Sequence, residues 1–386
     1  MKGNAEAGRS AYGAASMKVT EAFVPAPQRL FEDKIVMDFL PRPVQFLLRR
    51  SAIRAVFLSL LEASAPGIRG AMLCRTRRID DAVRNAIHQG LPALVILGAG
   101  LDTRPYRFTE SADVNIVEID LPSVQEFKKA CLLRKFGALP SHVRFVPSDL
   151  NTEQLDTALE TGRLNPSKPA IFLWEGVSQY LRPNAVDSVL CAIAKRPKGT
   201  VLVFTYVLQE VITGIYRFDR SEAFRKSASR RPEPWHFGID PRQLKAFLAA
   251  RGLSLRHDFG AKEHQTDYLR PVGRKLEVSE IERVAIAIVC WFCAHEQPRA
   301  IRGRATGQPD FVPSHKSALG KRTRRSSAAF SLPTTPFLAG DKYDWASERK
   351  SVNTSAFIVM YLVKLRTTGL LSRNNFRIAR YPPAAA

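Results

Sequence analysis

Ala93-Leu94-Val95-Ile96-Leu97-Gly98-Ala99-Gly100-Leu101-Asp102-Thr103-Arg104 joins a five-residue apolar run to a turn bearing two glycines. A run that short and that apolar predicts a strand covered on both faces, as in a parallel sheet flanked by helices. Upstream, Ile79 to Gln89 has helical spacing and closes at Gly90. Downstream, further strands are predicted at Asn115–Ile119, Val143–Val146, Ala170–Trp174, Thr200–Tyr206 and Arg283–Val289. Helices are expected between them at Ser123–Phe136, Ala185–Lys195 and Pro241–Arg251. Strands alternating with helices predict an α/β fold with a doubly wound, mostly parallel sheet. In front of it, Leu30 to Ser64 predicts a helical extension in two pieces, broken by Pro41 and Pro43.

The flanks differ in character. Residues 1–25, rich in Ala, Gly and Ser, are expected to be a mobile N-terminus. Residues 26–295 hold the predicted domain, and 296–386 form a tail rich in Arg, Ser, Thr and Pro, expected to be disordered and easily cleaved. The formal net charge is +22, but about half of the excess lies beyond Arg299. A basic tail is not a basic binding face, so nucleic acid is not expected as a partner. The five cysteines are scattered and odd in number, which argues against a disulfide framework. Cys290 and Cys293 form a C-x-x-C without a second pair at zinc spacing, so no metal site is expected. No apolar run is long enough for a leader or a membrane span, and a cytoplasmic protein is expected.

In an open α/β sheet, ligands bind beyond the carboxyl ends of the strands. The informative residues should therefore follow the strands. Gly98 and Gly100 allow a sharp turn and close approach of a ligand. Thr103 occupies the place of the third glycine of the dinucleotide fingerprint, which counts against a nicotinamide-dependent enzyme. Asp120, about 20 residues further on, can accept from both hydroxyls of a ribose, or can cap a helix. Asp149 can accept from an exocyclic amine of adenine while the Leu150 N–H donates to a ring nitrogen; taken alone it reads as a turn or cap residue. Glu175, followed by Gly176, suits a cationic neighbour or a structural role. Four such signals at four successive strand ends favour a ligand.

The runs CRTRRIDDAV (74–83), VILGAGLDTRPYRF, VEIDLP, VPSDL and EGVSQYL resemble the leucine carboxyl methyltransferase-like family, in its bacterial S-adenosyl-L-methionine-dependent branch. The resemblance covers about residues 30–290 and includes YLRPVGR (268–274). It implies a Rossmann-like class I methyltransferase fold with S-adenosyl-L-methionine as cofactor. It also implies roles for single residues. Arg75 would pair with the cofactor's carboxylate, and Gly98 and Gly100 would sit against its methionine part. Asp120 would hold the ribose, Asp149 and Leu150 the adenine, and Glu175 would line the amine. Arg104, Arg107 and Tyr180 are further candidates, the two arginines being as well suited to pairing with local carboxylates.

Methyl transfer requires alignment and exclusion of water more than acid–base machinery. A carboxylate acceptor needs no base and a hydroxyl does. No His–Asp pair stands out, and His236, His257 and His264 read as surface or packing residues. The expected activity is O-methylation of a small molecule, at a carboxylate or hydroxyl. The alternative is a cofactor-binding or regulatory protein without turnover, whose basic tail binds anionic partners.

Overall fold

A computed structural model describes residues 7–108, 114–215 and 234–290. Its centre is a seven-stranded sheet formed by β1 (Ala93–Leu97), β2 (Asn115–Asp120), β3 (Val143–Pro147), β4 (Ile171–Trp174), β5 (Val201–Val207), β6 (Leu253–Phe259) and β7 (Glu282–Val289). The spatial order is β3-β2-β1-β4-β5-β7-β6. Pairs among β1 to β5 are parallel, whereas β7 lies antiparallel between β5 and β6. From β1 the chain winds outward to β3, then returns to β4 on the other side. The reversal lies between β1 and β4, where such sheets open a crevice.

The side-chain period of two explains the layering. Val95 and Leu97 point into one core with Val117, Ile119, Phe172 and Trp174. Leu94 and Ile96 point into the other with Ile116, Ile171, Leu173 and Ile79. All five residues of β1 are buried, as a central strand with helices on both faces requires. The predicted doubly wound sheet is therefore present. Six of its strands lie where expected, to within a residue or so at the ends. The seventh, β6, was not foreseen. It is an edge strand whose polar residues Arg256 and His257 are exposed, so it lacks the apolar run of a central strand.

Eleven helices surround or precede the sheet among the described residues: α1 (Ala7–Val19), α2 (Arg42–Arg49), α3 (Ser51–Ser64), α4 (Ile68–His88), α5 (Arg104–Arg107), α6 (Pro122–Phe136), α7 (Leu155–Thr161), α8 (Pro183–Ala194), α9 (Gln209–Thr213), α10 (Leu244–Ala249) and α11 (Ala261–His264). Three differ from expectation in ways that matter. The stretch expected to be mobile is helical from Ala7, with Ala15 and Val19 packed against Val36, Phe39 and Phe57. Small residues gave it a faint amphipathic pattern, and its stability comes from tertiary packing. The extension breaks at Arg50, between α2 and α3, instead of at the prolines. Pro43 stands in the first turn of α2, where a missing N–H costs nothing. Residues 30–40 are not helical except for a single turn, Val36–Phe39, preceded by Asp33, whose Oδ1 accepts from the Ile35 and Val36 N–H groups. Finally, α4 begins at Ile68, well before Ile79, so Arg75 lies inside a long helix.

Cys293 and the tail 296–386 lie outside the described residues. Among the described residues, no single helix is long and apolar enough to cross a membrane.

Candidate active site

A cavity of about 560 Å³ opens at the carboxyl ends of the parallel strands. Its size falls in the range of small-molecule sites. Arg75, Gly98, Gly100, Asp120, Asp149, Leu150 and Glu175, the residues singled out from sequence, all line it, as does Tyr180. Arg104 and Arg107 do not; they stand behind the wall.

The loops at its floor hold one another. Gly98 has φ +66°, and a Cβ there would come within 2.3 Å of the Val177 side chain. The absent side chain thus makes room for the β4 loop, a neighbour in the protein and not only a ligand. The Gly100 N–H donates to Asp120 Oδ2 at 2.6 Å and the Leu121 N–H to Asp120 Oδ1 at 2.7 Å. Each oxygen keeps a second lone pair for a ligand. Burial raises the Asp120 pKa against the lowering effect of these two N–H groups. The Ser148 N–H donates to the Asp120 carbonyl at 2.8 Å, joining the β2 and β3 loops, and Asp149 Oδ1 accepts from the Asn151 N–H at 2.9 Å. Ser148 Oγ is buried with no hydrogen-bond partner at this edge.

Charge is concentrated on the other side of the glycine turn. Glu175 Oε1 accepts from Arg75 Nε at 3.0 Å and lies 2.9 Å from Arg75 Nη2, while Glu175 Oε2 accepts from Arg104 Nη1 at 2.6 Å. Arg75 Nη1 also donates to Glu282 Oε2 at 2.5 Å. Arg104 is enclosed completely; its Nη1 is shared with Asp102, its Nε donates to Asp80 and its Nη2 to the Thr76 carbonyl. Burial alone would raise the Glu175 pKa, but Lys18, Arg104 and Arg75 outweigh it and hold the carboxyl well below its usual range. Arg107 pairs with Asp80 at 2.6 Å and does not line the cavity. Arg75 is a wall residue already engaged by two carboxylates.

Several lining residues were not foreseen. Lys18 reaches Glu175 Oε1 at 3.5 Å from α1, whose Ala11, Ala14 and Ala15 cover the glycine turn. Glu282 enters from β7, and Gln179, Trp235 and His236 complete the far end. His236 thus lines the cavity, whereas His257 stacks on Phe259 at the sheet edge and His264 is packed in the interior. A charged residue in a helix of small side chains was the one available signal for Lys18.

Residues 11–194 match the family model described as leucine carboxyl methyltransferase. This segment, a little under half of the chain, is similar to the leucine carboxyl methyltransferase family. Two curated relatives are named "Putative S-adenosyl-L-methionine-dependent methyltransferase". The protein from Mycobacterium avium is 40% identical over 32% of this chain and 39% of its own length. That from Mycobacterium ulcerans is 32% identical over 57% of this chain and 66% of its own. The chain thus matches less than two thirds of the length of these relatives. A crystal structure of a methyltransferase-named protein from Thermobifida fusca superimposes with a TM-score of 0.45 and 19% identity, covering 62% of this chain and 89% of that one. The matched segment ends with α8 and holds α1 from Ala11 onward together with the ends of β1 to β4. The walls contributed by Trp235, His236 and Glu282 lie beyond it.

Proposed function

We propose that this protein binds S-adenosyl-L-methionine in the cavity and uses it to methylate an oxygen of a small molecule. The observation that carries this reading is the gathering of Arg75, Gly98, Gly100, Asp120, Asp149, Leu150 and Glu175 around one cavity of suitable size. The match to the leucine carboxyl methyltransferase family and the names of the relatives support the same cofactor.

The residues fit such a guest. Asp120 has free lone pairs for ribose hydroxyls, and Ser148, Asp149 and Leu150 line the edge where an adenine would lie. The methionine part would lie by Gly98 and Gly100, with Lys18 as the cation for its carboxylate, since Arg75 is committed to Glu175 and Glu282. When bound, the cofactor supplies a methyl carbon on a cationic sulfur; the bond from carbon to sulfur breaks as the bond from carbon to oxygen forms, and its electron pair stays on sulfur. The protein's share is to align the acceptor oxygen and keep water out. The aromatic and aliphatic far end suits a small organic acceptor.

Isothermal titration of the full chain with S-adenosylhomocysteine tests the cofactor. Binding is expected, with a loss of tenfold or more in Asp120→Ala. Preferential binding of a nicotinamide dinucleotide would refute the reading. Labelled cofactor with a metabolite extract tests the acceptor, and label found only in protein would refute the small-molecule assignment.

A further inference from the structure

Among the described residues, the large apolar side chains left exposed are gathered in one place. Phe127, Leu133, Phe136 and Leu139 stand on α6 and the loop after it. Phe23, Phe46 and Leu60 stand on the N-terminal extension, and only Ile215 lies elsewhere. The two groups share a core. Phe39, Leu48 and Phe57 of the extension pack with Cys131 and Leu132 of α6, and Lys135 pairs with Asp38 at 2.7 Å. They therefore belong to one layer, whose inner sides meet and whose outer side leaves these apolar groups in water.

Charge in the same layer has one sign. No acidic residue occurs from Phe127 to Ser148 or from Phe39 to Leu61. The first stretch holds Lys129, Arg134, Lys135 and Arg144 besides the buried Lys128, and the second holds Arg42, Arg49, Arg50 and Arg54. Lys128 is paired with Glu118 and Lys135 with Asp38; no other cation of these stretches pairs with a carboxylate among the described residues. Instead, Arg50 lies over the Phe46 ring at 4.8 Å, Arg54 over Phe23 at 3.8 Å and Lys129 over Phe145 at 5.2 Å. Positive and apolar groups are thus interleaved on one surface.

We propose that this layer is a docking face for an anionic lipid bilayer, on which the protein lies in the interface without crossing it. Phenylalanine and leucine between arginines and lysines match the two parts of such a surface, the acyl boundary and the negative headgroups. Charge decides against the other occupants. A second copy meeting this face through a two-fold axis would set arginine against arginine. The segment 296–386 is basic as well and offers no complement. A nucleic acid would meet the cations but gain little from Leu60, Leu133 and Leu139, which have no ring to stack on a base. The face also borders the cavity, since Tyr12, next to the lining residue Ala11 on α1, meets Phe127 edge to face at 5.4 Å. Docking therefore holds the α1 side of the cavity beside the bilayer. The inference stands apart from the cofactor reading above.

Flotation of the full chain with vesicles tests this. Vesicles of phosphatidylcholine with one third phosphatidylserine should bind it about tenfold or more tightly than phosphatidylcholine alone, since each cation near an anionic surface contributes about fivefold. The basic tail can supply such binding by itself, so a probe on the face decides. In Phe136→Trp, vesicles brominated in their acyl chains should quench the added fluorescence. In Arg256→Trp, on β6 at the sheet edge opposite β3, they should not. Leu133→Ser combined with Phe136→Ser should weaken binding about tenfold, and Arg134→Glu combined with Arg144→Glu more than tenfold. Urea midpoints should stay nearly constant, because all four side chains are exposed. The proposal is overturned if the anionic vesicles do not bind the chain, or if the Phe136→Trp chain binds without quenching. Equal quenching at the two positions overturns it too, as does binding unchanged in either double variant.

Discussion

Glu175 Oε2 and Arg104 Nη1 lie 2.6 Å apart, and the arginine side chain is wholly enclosed. A guanidinium so placed can stay charged only because Glu175, Asp102 and Asp80 surround it. The same carboxylate faces the cavity and holds Arg75. One residue therefore serves the interior and the ligand wall together.

Replacing it by alanine should cost about 3–5 kcal/mol, because it leaves buried cations without a partner. Urea denaturation of Glu175→Ala measures this. Glu175 and Asp102 are both held below their usual pKa in the folded chain. The folded state then binds fewer protons than the unfolded chain, so this stability is present above about pH 4 and is lost as pH falls further. Glu175→Gln should flatten that acid limb.

His264 provides a second, separable pH dependence. It is buried in α11, and burial, with Arg78 nearby, lowers its pKa to about 4. The unfolded chain takes up the proton near pH 6.5 and the folded one does not, so stability rises with pH between these values. The chain should therefore lose about 3 kcal/mol of stability between pH 6.5 and 4. In His264→Leu the slope between pH 5 and 6.5 should be largely removed, as urea midpoints at several pH values would show.

The glycine turn should be intolerant for a specific reason. Gly98→Ala places a Cβ against Val177 and keeps φ at +66°, which together should cost about 2–4 kcal/mol. If the clash dominates, adding Val177→Ala recovers part of the loss in melting temperature. Recovery near zero would assign the cost to the backbone angle.

Lys18 offers a readout of binding without much change in stability. Its side chain is 12% exposed and Glu175 retains two arginines when it is removed. Lys18→Met should weaken S-adenosylhomocysteine about tenfold while the urea midpoint stays nearly constant. Weakened binding that persists at high salt would point to packing by α1 instead of charge.

The residues that could be read early share a physical property: their position relative to a strand end is encoded locally. ALVIL ends in glycines, NIVEI ends in Asp120, and each apolar run announces both the strand and the loop that follows it. Lys18 and Glu282 had no such marker. The helix carrying Lys18 is made of small residues with a weak apolar stripe and is held by Val36 and Phe39, distant in sequence. Arg75 was legible as a residue but not in its bonds, since its partners lie 100 and 207 positions away.

Sequence by itself determined the doubly wound sheet and the floor of the cavity, because side-chain periodicity and turn chemistry act over a few residues. Only the tertiary structure decided which charges face one another and what closes the far end. Glu282 shows why. It stands at the start of β7, and it reaches the carboxyl ends of the parallel strands because β7 runs antiparallel beside β5, opposite Val207. Strand direction is a property of the assembled sheet, and no local pattern in ERVAIAIV states it.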